Sequence, residues 1–446
     1  MTAAAPPQRA VREERPGAGD GLTDAVVLRL AAKPGDRLFR VLENPDPLRP
    51  LLAALSVLPA VLAFPRCRLD RIDPDWGLAC LAAFRGEPLT ATGPAAWCTG
   101  LALRWAGTDG AIAYFALSWA GATLLVWAIW QWVHAAAGAR AAAFAAALTA
   151  TNPVTAAAAA SAAPTVAGIA FAVIAAWLWV RAGRIDSRLT ALLGGLACVP
   201  GAFLAGPAAV ILPACVAVCD SLSRGFLSEE DQPRRRDRLP ETLRRAGLFA
   251  VGVGVATLST AFTSRSPVAW EASRLPLDGL WWLVGLSLAG FLTVLPRQRW
   301  IDGPLRGAAW GMAGVGAVCA ASGLWGGRGS GADAMTLSAL AAATAAAALA
   351  IEGACRPATS ARLIAALAAL PALALVGLWI WSESPVAALW RAAFAVAVGF
   401  GAWGLWEVAA FRWSRSVRGR RLLTAAVVSL CSTGLAWAVR GADAAG

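Results

Sequence analysis

Residues 110–133 read GAIAYFALSWAGATLLVWAIWQWV, and no charged side chain interrupts them. As an α-helix this stretch rises roughly 36 Å at 1.5 Å per residue, enough to cross about 30 Å of hydrocarbon. A buried helix of a soluble domain needs neither that length nor that uniformity. The segment therefore predicts a membrane span, and the chain on either side repeats its pattern.

Working outward, apolar blocks recur at 49–65, 139–153, 162–180, 189–204, 206–221, 246–263, 278–296, 307–325, 334–352, 363–381, 387–410 and 422–440. Short pieces rich in arginine, glycine or proline separate them. Between 189–204 and 206–221 the breakers are Pro200, Gly201, Gly206 and Pro207. Over all 446 residues, 58% are hydrophobic and 15% charged. A soluble domain carries about 25% charged residues and could not cover its surface with so few. The expectation is an all-α polytopic integral membrane protein with about 13 transmembrane helices.

Charge sets the orientation. The segments RAGRIDSR (181–188), SRGFLSEEDQPRRRDRLPETLRR (223–245), RQR (297–299) and RWSRSVRGRR (412–421) fall on one side of the alternation, with the N-terminal tail. By our count that side holds about 29 of the 39 basic residues, which predicts an N-in/C-out topology. The reading divides the chain into a partly disordered cytoplasmic tail (1–47), a membrane module (48–221) with an outer loop (66–109), a cytoplasmic linker (222–245) and a C-terminal region of spanning helices (246–446). The first 20 residues lack the form of a cleavable signal peptide. The expected location is the inner (plasma) membrane, crossed many times.

The net charge of +12 would suggest nucleic acid in a soluble protein, but here the arginines occupy loops between spans, so no nucleic-acid partner is expected. Cys198, Cys215, Cys219, Cys319 and Cys431 lie in apolar blocks, and His134 is the single histidine. No zinc or haem spacing results. No cofactor is indicated, and a divalent metal stays open. Asp220, Glu352 and Glu407 near block ends are expected to snorkel to the inner interface.

The outer loop is the exception to the short connections. It runs about 45 residues and contains RCRLDRIDPDWGLACLAAFRGEPLTATGPAAWCTGLALRWAG (66–107). Connections this long are functional or disordered. The spacing of Trp76, Leu78, Ala79, Leu81, Ala82 and Phe84 predicts helices lying along the outer interface. Cys67, Cys80 and Cys98 share the oxidising side, where one disulfide among them is possible.

This loop resembles that of the GT-C superfamily of membrane glycosyltransferases, and within it the protein O-mannosyltransferase and aminoarabinose-transferase group. Asp73 and Asp75 stand where the group has an acidic pair, Gly86 where it has a glycine, and Pro94 and Trp97 where it has a proline–aromatic stretch. The segments AAGARAAAFAAALTATNPVTAAAAASAAPTVAGIAFAVIAAWLWVRAG (136–183) and LTALLGGLACVPGAFLAGPAAVILPACVAV (189–218) are similar to its third to sixth spans. The resemblance covers roughly residues 45–225. It implies a polyprenyl-phosphate-linked sugar donor held among membrane lipids, with the acceptor unidentified. Many of the group carry an acid before the fourth span, where this chain has Pro164 and Thr165. They often have a lysine where this chain has Ala205.

Sugar transfer from a polyprenyl phosphate requires a base for the acceptor proton and cations for the phosphate. Asp73 and Asp75 are the candidate catalytic carboxylates, with Asp73 the first choice as base. Pro74 favours extended backbone at Asp73 and a helix start at Asp75, and a helix N-terminus lowers a carboxyl pKa. Arg68 and Arg71 are the candidate phosphate ligands, since guanidinium donates in a planar pair. Glu87 and Trp97 are candidates for acceptor or sugar contact. The same charges also fit a solvated loop that pairs internally with Asp70 and lipid headgroups, and Trp97 an interfacial belt. The function implied is glycosyl transfer. The alternatives are a non-catalytic relative that binds lipid or partners, and an unrelated transporter or flippase, although no internal repeat is evident.

Overall fold

The computed structural model describes residues 48–67, 72, 74–106, 111–162, 164–185, 187–226, 232–263 and 330–354, and all regular structure among them is helical. Helix α1 (Leu48–Ala63) ends in a 3-10 turn at Phe64–Arg66. The expected outer loop holds three helices, α2 (Pro74–Arg85), α3 (Leu89–Thr92) and α4 (Pro94–Ala106). Then come α5 (Ala111–Ala137), α6 (Ala139–Thr151), α7 (Pro153–Ala160), α8 (Thr165–Ile185) and α9 (Arg188–Ala205). A 3-10 turn at Pro207–Val210 leads into α10 (Ile211–Phe226), and α11 (Gln232–Thr263) and α12 (Ser330–Ala354) complete the set.

Three stretches, Tyr114–Ala137, Thr165–Ile185 and Arg188–Ala205, are each long and apolar enough to cross a membrane. The α6–α7 pair makes a fourth if it is one span, bent by 54°. The bend falls where the sequence demands it. Asn152 precedes Pro153, which forces extended backbone, and the Asn152 side chain then caps α7 by accepting the Val154 N–H at 2.9 Å. The expected spans 49–65, 206–221 and 334–352 appear as shorter apolar helices, and 246–263 is the second half of α11. The expected spans 278–296, 307–325, 363–381, 387–410 and 422–440 lie outside the described residues.

Small residues let the helices approach closely. A Cβ built on Gly252 of α11 would overlap the Gly195 backbone of α9, and one on Gly121 of α5 would lie 2.5 Å from the Ala167 nitrogen of α8. Without a hydrophobic drive between helices in lipid, such close packing supplies the attraction. Hydroxyls inside the bundle fold back on their own helices: Thr149 donates to Ala145 O at 2.8 Å and Thr344 to Leu340 O at 2.9 Å. The outside is apolar too. Leu189, Leu193 and Leu196 on α9, and Val251, Val255 and Leu258 on α11, form exposed stripes at helical spacing that only lipid or another apolar helix can cover. The break after α9 is made by Gly206, at φ +76°, followed by Pro207.

Two expectations change. The stretch 222–245, read as a linker, is helical to Phe226 and again from Gln232. Its polar composition gave no apolar period, but the helix is held by side-chain bonds instead. Arg188 clamps Glu241 through Nε and Nη2 at 2.8 and 2.7 Å, and Arg245 donates to Ala182 O at 3.1 Å. Asp220 does not snorkel. It is 1% exposed and accepts the Trp179 indole N–H at 3.0 Å.

Candidate functional site

Helices α2 and α4 pack side by side and, with the start of α5, enclose a small core of Trp76, Cys80, Ala95, Ala96, Leu103 and Phe115. Pro74 opens α2, its fixed φ suiting a first helical position, and Asp75 follows in the first turn as the sequence predicts. At the other end Gly86, at φ +99°, reverses the chain: its N–H and that of Glu87 bond back to Ala83 O and Ala82 O. α4 adds further donors to the carbonyls of this helix end, Ala83 O accepting a second bond. Arg104 donates from Nε to Phe84 O at 2.9 Å and from Nη2 to Ala83 O at 3.3 Å. A buried aromatic core and a guanidinium clamp thus turn the long loop into an ordered unit, which the sequence signalled only through its helical spacing.

On this unit Glu87 is exposed at the turn, and Trp97 is 38% exposed in the first turns of α4. Trp105 at the far end of α4 is 92% exposed. Asp70, Asp73, Arg68 and Arg71 lie outside the described residues, as does the side chain of Asp75. The backbone therefore places Asp75 at the start of α2, one helix length from Glu87. Cys67, Cys80 and Cys98 are free thiols. Burial pushes the Cys80 thiol up to about 12, which its hydrogen bond with Thr99 offsets only in part. Among the described residues no three His, Cys, Asp or Glu side chains gather in a group that could hold a metal ion.

A second polar cluster occupies the opposite end of the bundle. Trp179, Ala182, Gly183, Asp220, Thr242 and Arg245 line one small cavity between α8, α10 and α11. Arg245 is 7% exposed. Sequence reasoning missed this group because its members stand 41 and 63 residues apart in the bonds from Trp179 to Asp220 and from Arg245 to Ala182. The 27 residues of α5 put about 40 Å between its two ends, so the cluster and the loop unit lie far apart along the helix direction.

No family profile matches the chain, and no curated protein matches it by sequence. Solved structures match its fold. ArnT from Cupriavidus metallidurans, bound to undecaprenyl phosphate, superposes with a TM-score of 0.51 at 14% identity, over 86% of this chain and 76% of that one. Its apo state gives 0.49 at 15%, over 86% and 75%. The Archaeoglobus fulgidus oligosaccharyltransferase, tethered with an acceptor peptide, gives 0.39 at 12%, over 85% and 55%. Both proteins are GT-C glycosyltransferases. At these identities the likeness is one of fold, and it rests on the superposition with the undecaprenyl-phosphate complex.

Proposed function

We propose that this chain, whose fold is that of a GT-C glycosyltransferase, moves a sugar from a polyprenyl-phosphate donor to an acceptor on the extracytoplasmic face. The observation that carries the reading is the fold match to ArnT bound to undecaprenyl phosphate, joined to a loop unit whose first helix begins at Pro74, between the two candidate carboxylates. In the reaction Asp73 takes the proton of the acceptor nucleophile as that atom bonds to the anomeric carbon. The bond from the anomeric carbon to the phosphate oxygen breaks, and polyprenyl phosphate leaves with the electron pair. A phosphate anion is a stable leaving group, so the protein's work is to supply the base and to hold the phosphate charge.

In this scheme Arg68 and Arg71 hold the donor phosphate, Asp75 supports the base, and Glu87 and Trp97 contact acceptor and sugar. The charge asymmetry of the loops supports an extracytoplasmic position for the α2–α4 unit. Transfer of label from a polyprenyl-phosphate sugar by the full chain in vesicles tests the reading, and a protein that neither binds nor transfers such a donor refutes it.

One observation favours a non-catalytic relative instead. Ala205, where the group often has a lysine, is 6% exposed, and a Cβ on Gly168 would fall 2.5 Å from the Ala205 Cβ. That position is packed against α8 and presents no cation to a phosphate. Donor binding without transfer is the result that reading expects.

A further inference from the structure

The face opposite the loop unit carries a pair of arginines that the proposed reaction does not use. Arg181 and Arg184 sit three residues apart at the end of α8, and both are exposed. Among the described residues neither meets a carboxylate. Arg181 lies over the Trp177 ring at 5.5 Å, and Trp177 in turn meets Trp127 of α5 edge-on at 5.6 Å. Arg184 donates to Ala136 O, in the last turn of α5, at 3.5 Å. Both guanidinium groups are therefore held in place yet keep free N–H donors. Residues three apart on a helix are neighbours, so two like charges are fixed side by side, and an anion between them relieves the repulsion.

Other arginines of this face are differently committed. Arg188 is clamped on Glu241, Arg244 lies 3.9 Å from the same carboxylate, and Arg245 is buried. Asp186 lies outside the described residues. We propose that Arg181 and Arg184, with Trp177, form a headgroup site for an anionic phospholipid in the leaflet opposite the α2–α4 unit. The end of a 21-residue apolar helix brings the two cations to headgroup depth. Half-buried tryptophans beside them suit the interface, where one edge of the ring is apolar and the other wet. The site stands whether or not the chain transfers a sugar.

The test is native mass spectrometry of the full chain in detergent, titrated with phosphatidylglycerol. An arginine near an anionic lipid surface contributes roughly fivefold in affinity, so R181Q/R184Q is expected to weaken the tightest phosphatidylglycerol adduct by up to about 25-fold. R244Q removes an exposed arginine paired with Glu241 and is expected to leave that adduct unchanged. Millimolar inorganic phosphate is expected not to displace the lipid. The proposal is overturned if the double variant binds phosphatidylglycerol as tightly as the unmodified chain. It is also overturned if R244Q loses as much, since binding is then diffuse charge, or if inorganic phosphate competes, since the site then takes a soluble anion. Both arginines are exposed, and an unchanged melting temperature in R181Q/R184Q separates lost binding from lost fold.

Discussion

Trp179 and Asp220 are joined by an indole N–H to carboxylate hydrogen bond of 3.0 Å where α8 meets α10, with Asp220 1% exposed. The bond ties together two helices that the sequence presents as separate apolar blocks, and it gives a carboxylate within α10 a fixed place inside the protein. Asp220→Ala removes the acceptor and leaves the indole N–H unpaired. A loss of about 1–3 kcal/mol is expected, the cost of an orphaned buried donor. Thermal unfolding in detergent reads it, and Trp179→Phe, which removes the donor as well, should lessen the effect of Asp220→Ala in a double-mutant cycle. Full additivity would show that the two side chains are not coupled.

The crossing of α9 and α11 depends on two glycines. Gly252→Leu places a side chain into the Gly195 backbone and should abolish or sharply reduce the yield of monodisperse protein on size exclusion. A Cβ on Gly254, on the same helix, meets nothing within 4 Å, so Gly254→Leu should be tolerated. Equal yields for the two variants would contradict the close approach.

The clamp of Arg188 on Glu241 shapes the arginine face. Its hydrogen bonds hold the Glu241 carboxyl below the usual glutamate range. Because the folded pKa is depressed, this contribution is present above the ordinary glutamate pKa and fades as pH falls through the folded value. Arg188 is exposed and Glu241 half-buried, so the pair lies near the surface and salt should weaken it. Tryptic cleavage after Arg244 and Arg245 is expected to be slow in the unmodified chain and faster in Glu241→Gln, as the helix loses its anchor. Rapid cleavage there in both proteins would return the stretch to the role of a loose linker.

Cys80 should be chemically silent. With its pKa pushed up to about 12, roughly one thiol in 10⁴ is ionised at pH 8, and the thiolate is the nucleophile. The half-buried Cys67 and Cys98 should alkylate ahead of it. Folding raises the Cys80 pKa, so the protonated thiol favours the folded state up to about pH 9, and that support is lost as pH climbs toward 12. Peptide mass mapping after maleimide treatment checks this, and prompt labelling of Cys80 at neutral pH would contradict the burial.

Local signals carried much of the fold. The uncharged run at 110–133 marked α5, Pro74 marked the start of α2, and Gly206–Pro207 marked the break after α9. Each rests on the backbone preferences of a few adjacent residues. What escaped is long-range. Asp220 looks in sequence like any acid near a span end, and only its partner 41 residues away shows that it is buried. Residues 232–245 lack an apolar period because their helix is held by Arg188 and Ala182, not by a hydrophobic face. Arg104 gave no hint of its role, since it closes the end of α2 from 20 residues away. Of the candidate site, the helical spacing of 76–84 foretold the helix that ends just before Glu87, while Asp73, Arg68 and Arg71 lie outside the described residues.

The proposed role of Asp73 as the base for sugar transfer is read by Asp73→Asn. The substitution keeps size and hydrogen bonding but removes the base, whose loss costs about 10² to 10⁴ in rate. The measurement is transfer from a radiolabelled polyprenyl-phosphate sugar in reconstituted vesicles, with protein level checked for each variant. Asp73→Asn is expected to slow turnover by that factor while donor binding survives, Asp75→Asn to do less harm, and Arg68→Ala or Arg71→Ala to weaken donor binding first. Full activity in both Asp73→Asn and Asp75→Asn would contradict that role.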